Sequence, residues 1–285
     1  MLRGSAPRND VTYGSSIMIR LLPCALLLAA CQAAPEAPQA STASTLGQEP
    51  VQYGYRVVAT FPHDTRAFTE GLFFADGELY ESTGLEGKSD LRRVNLADGR
   101  VLQRVAIPEN RFGEGSIAWG DQIISLTWQD GIGYRWNRRT LQQVGTFRYP
   151  GEGWALTHNG TDIIMSDGTS ELRFLDPVTL QERRRLQVTN GGRRLDQLNE
   201  IEWVDGQILA NIWQTSRIAR IDPNSGQVTG WIDLSGLVRE NAGSPGADVL
   251  NGIAYDAANR KLYVTGKNWP RLYQIELVPA APASR

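Results

Sequence analysis

From Gly71 to Leu277 the chain alternates short hydrophobic runs with turns rich in Gly and Asp. In the first stretch, Gly71–Phe74, Glu78–Ser82, Leu91–Asn95 and Val101–Ile107 read as strands, with turns at Asp76-Gly77 and Asp98-Gly99. The pattern returns as Ser116–Trp119, Gln122–Trp128, Ile132–Asn137 and Gln143–Tyr149, then as Trp154–Thr157, Asp162–Ser166, Glu171–Asp176 and Glu182–Val188. A further set is Ile201–Val204, Gln207–Trp213, Arg217–Asp222 and Val228–Leu234, and a last one is Ile253–Tyr255, Lys261–Thr265 and Leu272–Leu277. Few segments sustain the i, i+3, i+4 spacing of an amphipathic helix. Two connections are longer: Val188–Leu198 is polar and basic, and Ser235–Val249 has room for a short helix.

A short phrase opens each set. It reads Phe68-Thr69-Glu70-Gly71-Leu72, Phe112-Gly113-Glu114-Gly115-Ser116, Pro150-Gly151-Glu152-Gly153-Trp154, Leu198-Asn199-Glu200-Ile201 and Leu250-Asn251-Gly252-Ile253. A period of roughly 40–50 residues with short strands in each repeat marks β-propeller blades. The last set lacks a fourth strand. Val57-Val58-Ala59-Thr60-Phe61-Pro62 resembles the fourth-strand segments Val101–Pro108 and Val144–Pro150, so Tyr55–Phe61 is its candidate. The expected fold is therefore all-β: a five-bladed β-propeller closed by pairing of the N-terminal strand with the last blade. Such closure hides two sheet edges. Residues 51–285 form this domain.

The start of the chain reads differently. Met18-Ile19-Arg20 opens a basic region, and Leu21–Ala30 is apolar, too short to span a bilayer but fitting a secretory leader. The leader ends Leu28-Ala29-Ala30-Cys31, which resembles a bacterial lipobox, and Met18 is a candidate start. Residues 1–31 are thus expected to be a signal peptide with Cys31 the lipidated residue. The alternative is an ordinary secreted protein with Cys31 near the cleavage site by chance. Residues 32–50, rich in Ala, Pro, Ser, Thr and Gln, read as a flexible tether. The expected location is the bacterial cell envelope, lipid-anchored or periplasmic, with membrane contact only through the anchor. Gln32 after the cysteine is compatible with outer-membrane sorting.

Composition narrows the chemistry. The 285 residues are 41% hydrophobic with net charge −2, which gives no reason to expect nucleic acid or an anionic membrane surface as partner. Cys24 and Cys31 are the only cysteines, so the mature domain forms no disulfide and no Cys-based zinc site. The two histidines, His63 and His158, have no zinc-ligand spacing to acids, and neither a Gly-x-Ser-x-Gly elbow nor a phosphate loop is present. A monomer without cofactor or metal is expected.

In a propeller the first strand of each blade lines the axis. The repeated phrase would then set Glu70, Glu114, Glu152, Glu200, Asn199 and Asn251 in one ring. Crowded, desolvated carboxyls have raised proton affinity, and one tuned towards neutrality can shuttle protons. Any single Glu-Gly serves equally well to end a strand and cap backbone donors, but burying several acids together has no stabilising rationale. Trp128 and Trp213 end second strands, Trp154 begins a first strand, and Phe68 and Phe112 precede two of the glutamates. These aromatics either pack between blades or wall a small pocket. Lys267 is either a solvated surface residue or, facing the acids, an oxyanion donor.

The phrases taken together resemble the plant and bacterial glutaminyl-peptide cyclotransferase family. The resemblance rests on Phe68–Leu72, Tyr80-Glu81-Ser82-Thr83-Gly84-Leu85, Phe112–Gly115, Leu126-Thr127-Trp128, Glu152-Gly153-Trp154, Met165-Ser166-Asp167-Gly168, Leu198–Glu200, Ala210-Asn211-Ile212-Trp213, Leu250–Tyr255 and Val264–Pro270. It implies a five-bladed propeller that acts on peptides or proteins with N-terminal Gln. The free amine attacks the side-chain carboxamide, ammonia leaves and pyroglutamate remains. By resemblance, Glu114 takes a proton from the α-ammonium group and later protonates the departing ammonia, while Asn199 and Lys267 steady the oxyanion. Phe68, Phe112, Trp128, Trp154 and Trp213 would line the substrate pocket. The family commonly has Gln where this chain has Glu70; an added acid there either strengthens ammonium binding or alters the pH profile. Two other readings remain at this point: a propeller that binds peptides or envelope components without catalysis, and a lactonase-type propeller with a metal on its acids.

Overall fold

The computed structural model describes residues 49–280. The leader, Cys31 and residues 32–48 of the tether lie outside the described residues. Apart from one short helix the described chain is strands in sheets. Strand β1 is Val51–Pro62. Strands β2 (Thr69–Ala75), β3 (Glu78–Thr83), β4 (Asp90–Val94) and β5 (Val101–Ala106) make one four-stranded sheet in sequence order. A second holds β6 (Gly113–Trp119), β7 (Gln122–Thr127), β8 (Ile132–Asn137) and β9 (Gln143–Arg148). A third holds β10 (Ala155–His158), β11 (Ile163–Ser166), β12 (Glu171–Leu175) and β13 (Glu182–Gln187). After it comes a small hairpin of β14 (Thr189–Asn190) and β15 (Arg193–Arg194) within the basic connection, which had shown no strand signal.

The remaining strands form one eight-stranded sheet. It contains β16 (Leu198–Val204), β17 (Gln207–Ile212), β18 (Arg217–Ile221), β19 (Val228–Asp233), β20 (Leu250–Asp256), β21 (Lys261–Gly266) and β22 (Arg271–Pro279). Strand β1 sits between its two halves, antiparallel to β22 from Tyr53–Pro279 to Pro62–Arg271 and parallel to β19 over Val51–Tyr53. Helix α1 (Ser235–Asn241) lies in the connection where a short helix had room.

The inner strand of each set packs against its neighbours: β2 on β6 and β20, β10 on β6 and β16, and β16 on β20. The glycines of the repeated phrase make this possible. A Cβ on Gly71 would fall 2.7 Å from the Ser116 backbone N, and one on Gly115 would fall 2.4 Å from Ala155 Cα. Hydrophobic side chains fill the space between successive sheets. One cluster joins Phe73, Tyr80, Ile123, Trp136, Leu156 and Ile163. Another joins Ile164, Phe174, Ile201, Ile208 and Trp231. Fully burying one such aliphatic or aromatic side chain is worth about 1.5–3 kcal/mol. The outer strands β5, β9 and β13 alternate or stay exposed, and β13 carries Glu182, Arg183, Arg184 and Arg185 in a row. Charge on an outer strand discourages pairing with another chain.

Candidate active site

The repeated phrase is a repeated β-bulge. In β2 the register shifts between Thr69 and Gly71, leaving Glu70 unpaired. In β6 it shifts between Gly113 and Ser116 around Glu114. In β16 the extra residues are Asn199 and Glu200, and in β20 they are Asn251 and Gly252. A bulge frees a residue from the ladder and re-aims its side chain. In the third set the phrase instead precedes β10, which begins at Ala155, so Glu152 stands in a loop.

The acids therefore separate. Glu70 and Glu114 are buried and line a cavity of about 330 Å³ together with Phe68, Phe112, Trp128, Trp154, Asn199, Trp213 and Lys267. Every residue singled out as catalytic or substrate-binding in the sequence lies on this one surface. Glu152 sits at the mouth, where its Oε2 accepts from Trp128 Nε1 at 2.8 Å and Trp154 Nε1 at 2.9 Å. Glu200 is buried deeper. Its two oxygens accept from the backbone N of Leu72 at 3.3 Å and of Ile253 at 2.8 Å, so it caps donors freed by the bulges. Asn251 donates to Thr69 O at 2.9 Å and to Glu70 Oε2 at 3.3 Å. The single ring of acids and amides expected from the phrase is thus two functional layers, one facing the cavity and one tying inner strands together.

Aromatic rings make a continuous wall. Phe68 meets Phe112 edge-on with centroids 6.2 Å apart, Phe112 meets Trp128 at 5.7 Å, and Trp154 meets Trp213 at 5.8 Å. Glu152 bridges the gap between Trp128 and Trp154. Gly84 permits the first of these contacts: a Cβ there would come within 2.5 Å of the Phe112 ring and 2.9 Å of Glu70 Oε1. Trp128 and Trp213, each 37% exposed, form the outer lip.

Lys267 is the cation of the cavity. Its Nζ donates to Glu70 Oε1 at 2.6 Å and stands 4.5 Å from the centre of the Phe68 ring. An ammonium has three donors, so others remain for a ligand. The Asn199 side chain lines the cavity, and no group among the described residues hydrogen-bonds its carboxamide. Gln214, Asp248 and Val249 complete the lining and had not been anticipated. They lie in connections, where strand patterning carries no signal.

Burial raises the proton affinity of Glu114 well above the ordinary carboxylate range, and the neighbouring Glu70 charge adds to it. Glu70 is also raised by burial, against the opposing pull of Lys267. Glu200 is raised by burial and by the Glu202 charge. Glu202, a further buried acid that the sequence had not marked, is pushed up to about 8 by burial. The His63 side chain lies largely buried between Trp269 O, 2.7 Å from Nδ1, and Glu81 Oε1, 2.9 Å from Nε2. Both ring nitrogens face acceptors, an arrangement suited to imidazolium. Burial works against that charge, but Glu81 outweighs it and the histidine is raised.

A small aromatic-walled cavity with buried carboxyls, one amine and the free carboxamide of Asn199 defines a site for acid–base chemistry on a polar ligand. The chain belongs to the glutamine cyclotransferase family, whose model matches residues 24–277. Among its relatives is the glutaminyl-peptide cyclotransferase of Arabidopsis thaliana, 43% identical over 232 residues, which cover 80% of this chain and 72% of that protein. Among solved structures, the crystal structure of Myxococcus xanthus glutaminyl cyclase matches with a TM-score of 0.77 at 37% identity, over 82% of this chain and 100% of that one.

Proposed function

We propose that this enzyme cyclises the N-terminal glutamine of peptides and proteins to pyroglutamate, releasing ammonia, by proton relay through Glu114. The observation that carries the reading is the convergence of Glu114, Asn199 and Lys267 on one cavity although they come from β6, β16 and the segment after β21. The aromatic wall would hold the glutamine side chain folded over its own amine. The reacting atoms already share a molecule, so confinement in a near-attack geometry supplies much of the acceleration. As the amine adds to the side-chain carbonyl carbon, Asn199 and Lys267 donate to the oxygen that gains charge. Glu114 relays protons between the two nitrogens, one from the attacking nitrogen and one to the leaving nitrogen, so the carbon–nitrogen bond to the departing ammonia breaks without a free amide anion. The expected test result is that Glu114→Gln lowers ammonia release from Gln-Ala by about 10²-fold or more, with the fold retained by circular dichroism. Undiminished turnover in that variant would remove Glu114 from the relay.

The sheets support a five-bladed propeller: each inner strand touches the next, and β1 supplies the outermost strand beside β22. The leader sequence and Cys31 support lipid anchoring in a bacterial envelope. For that, Cys31→Ala should move the protein from the membrane to the soluble fraction; unchanged sedimentation with membranes would speak against the anchor.

A further inference from the structure

The two carboxyls are buried side chains lining one cavity, and each weighs on the other's ionisation. Two like charges held there cannot both form cheaply, so one carboxyl keeps its proton. The surroundings decide where it rests. Glu70 has donors on its other sides: Lys267 Nζ at 2.6 Å and Asn251 Nδ2 at 3.3 Å. The Glu114 carboxyl has no hydrogen-bond donor among the described residues and shares the cavity with the rings of Phe68, Phe112, Trp128 and Trp154. Charge therefore settles on Glu70 and the proton on Glu114. The remaining charged groups nearby do not reverse this. Asp248 disfavours charge on Glu70 but is exposed at the rim, where solvent screens it; Glu152 is held by the two indoles, and Glu200 is spent on backbone donors. Tyr149, whose hydroxyl is tied to the Thr127 backbone, is itself pushed up to about 12 by burial.

We propose that Glu70 is a positioning residue that keeps the shuttle proton on Glu114 in the resting enzyme, so that the site takes the uncharged form of the substrate's α-amine. This rests on the cyclisation reading above. A protonated Glu114 cannot accept a proton from an ammonium group, so the order differs from that expected from the sequence. The neutral amine adds to the carboxamide carbon. Glu114 gives its proton to the leaving nitrogen, and its carboxylate then takes the proton lost by the attacking nitrogen. Neutral ammonia departs, Glu114 is again protonated, and no proton is exchanged with solvent. Glu70 and Lys267 remain an ion pair throughout.

The test is Glu70→Gln, which preserves shape and removes the charge that holds the proton. Glu114 then loses a like-charged neighbour and gains the attention of an uncompensated Lys267, and both changes ease its ionisation. With the substrate amine setting one limb of the pH profile of kcat/KM in both enzymes, the optimum should move to lower pH by about half a pH unit or more, half of a fall of about one unit in Glu114. Carbon-13 NMR of labelled glutamate, with Glu114→Gln used for assignment, reads the same change without turnover. Glu114 should titrate above the normal glutamate range in the wild type and at least about one pH unit lower in Glu70→Gln. An unmoved or alkaline-shifted optimum, or a Glu114 ionised at neutral pH in the wild type, overturns the proposal. A wild type that releases no ammonia from any Gln-led peptide would instead overturn the cyclisation reading, and the NMR titration would still judge the proton's position.

Discussion

Glu202 offers a quantitative test of how the inner strands are charged. Its Oε2 accepts from Thr157 Oγ1 at 3.0 Å and its Oε1 from the Tyr255 backbone N at 3.1 Å. Neither donor is a cation, and burial raises the acid from 4.5 to about 8. A folded-state value above the unfolded one contributes stability that is complete below about pH 4.5 and is lost as pH rises through about 8. Each pH unit across that window is worth about 1.4 kcal/mol. Glu202→Gln is neutral in both states and carries no such slope. It gives up one good acceptor, at a cost of about 1 kcal/mol that does not vary with pH. Urea unfolding of both proteins at about pH 5 and about pH 7.5 separates the two effects. The stability of the variant relative to the wild type should swing in its favour by about 3 kcal/mol between those pH values. A swing below about 1 kcal/mol would mean that Glu202 is ionised in the fold and that the account of its burial is wrong.

Two further outcomes follow from the same geometry. Glu152→Ala removes the acceptor shared by Trp128 and Trp154, so KM for Gln-Ala should rise about tenfold with a smaller change in kcat; a KM within about twofold of the wild type would show that the indoles hold their places unaided. His63 is raised, so its pairing with Glu81 stabilises fully below about pH 6.5 and fades as pH rises through its folded value. In thermal melts the advantage of the wild type over His63→Gln should therefore shrink towards alkaline pH, and an advantage that persists unchanged there would contradict an imidazolium in the core.

Most strands were legible because their ends are chemically marked. Asp76-Gly77, Asp98-Gly99 and Gly120-Asp121 break hydrophobic runs whose register then follows from alternation. The inner-strand starts were not, because a bulge has no composition of its own. Thr69-Glu70-Gly71 reads as a loop entering a strand, whereas the ladder begins at Thr69 and skips Glu70. That skip separates residues that look alike in sequence. Glu114 and Glu200 share a phrase, but one faces an aromatic cavity and the other two backbone amides. Glu202 escaped notice because it lies two positions past Glu200, outside the phrase, in what reads as ordinary strand. Hairpin β14–β15 was invisible because two-residue strands leave no periodicity to detect.

Strand β1 is the first of the described strands to be synthesised, yet its long partner is β22, the last of them. Until residues 271–279 have been made, only Val51–Tyr53 have a partner, in β19, and the rest of the strand has none. Contacts between distant parts of a chain form late and slowly. Most of β1 therefore stays without a partner until the last strand is made, and a chain cut short before Arg271 would keep it so. An accessible β1 marks a molecule whose final strand has not yet docked.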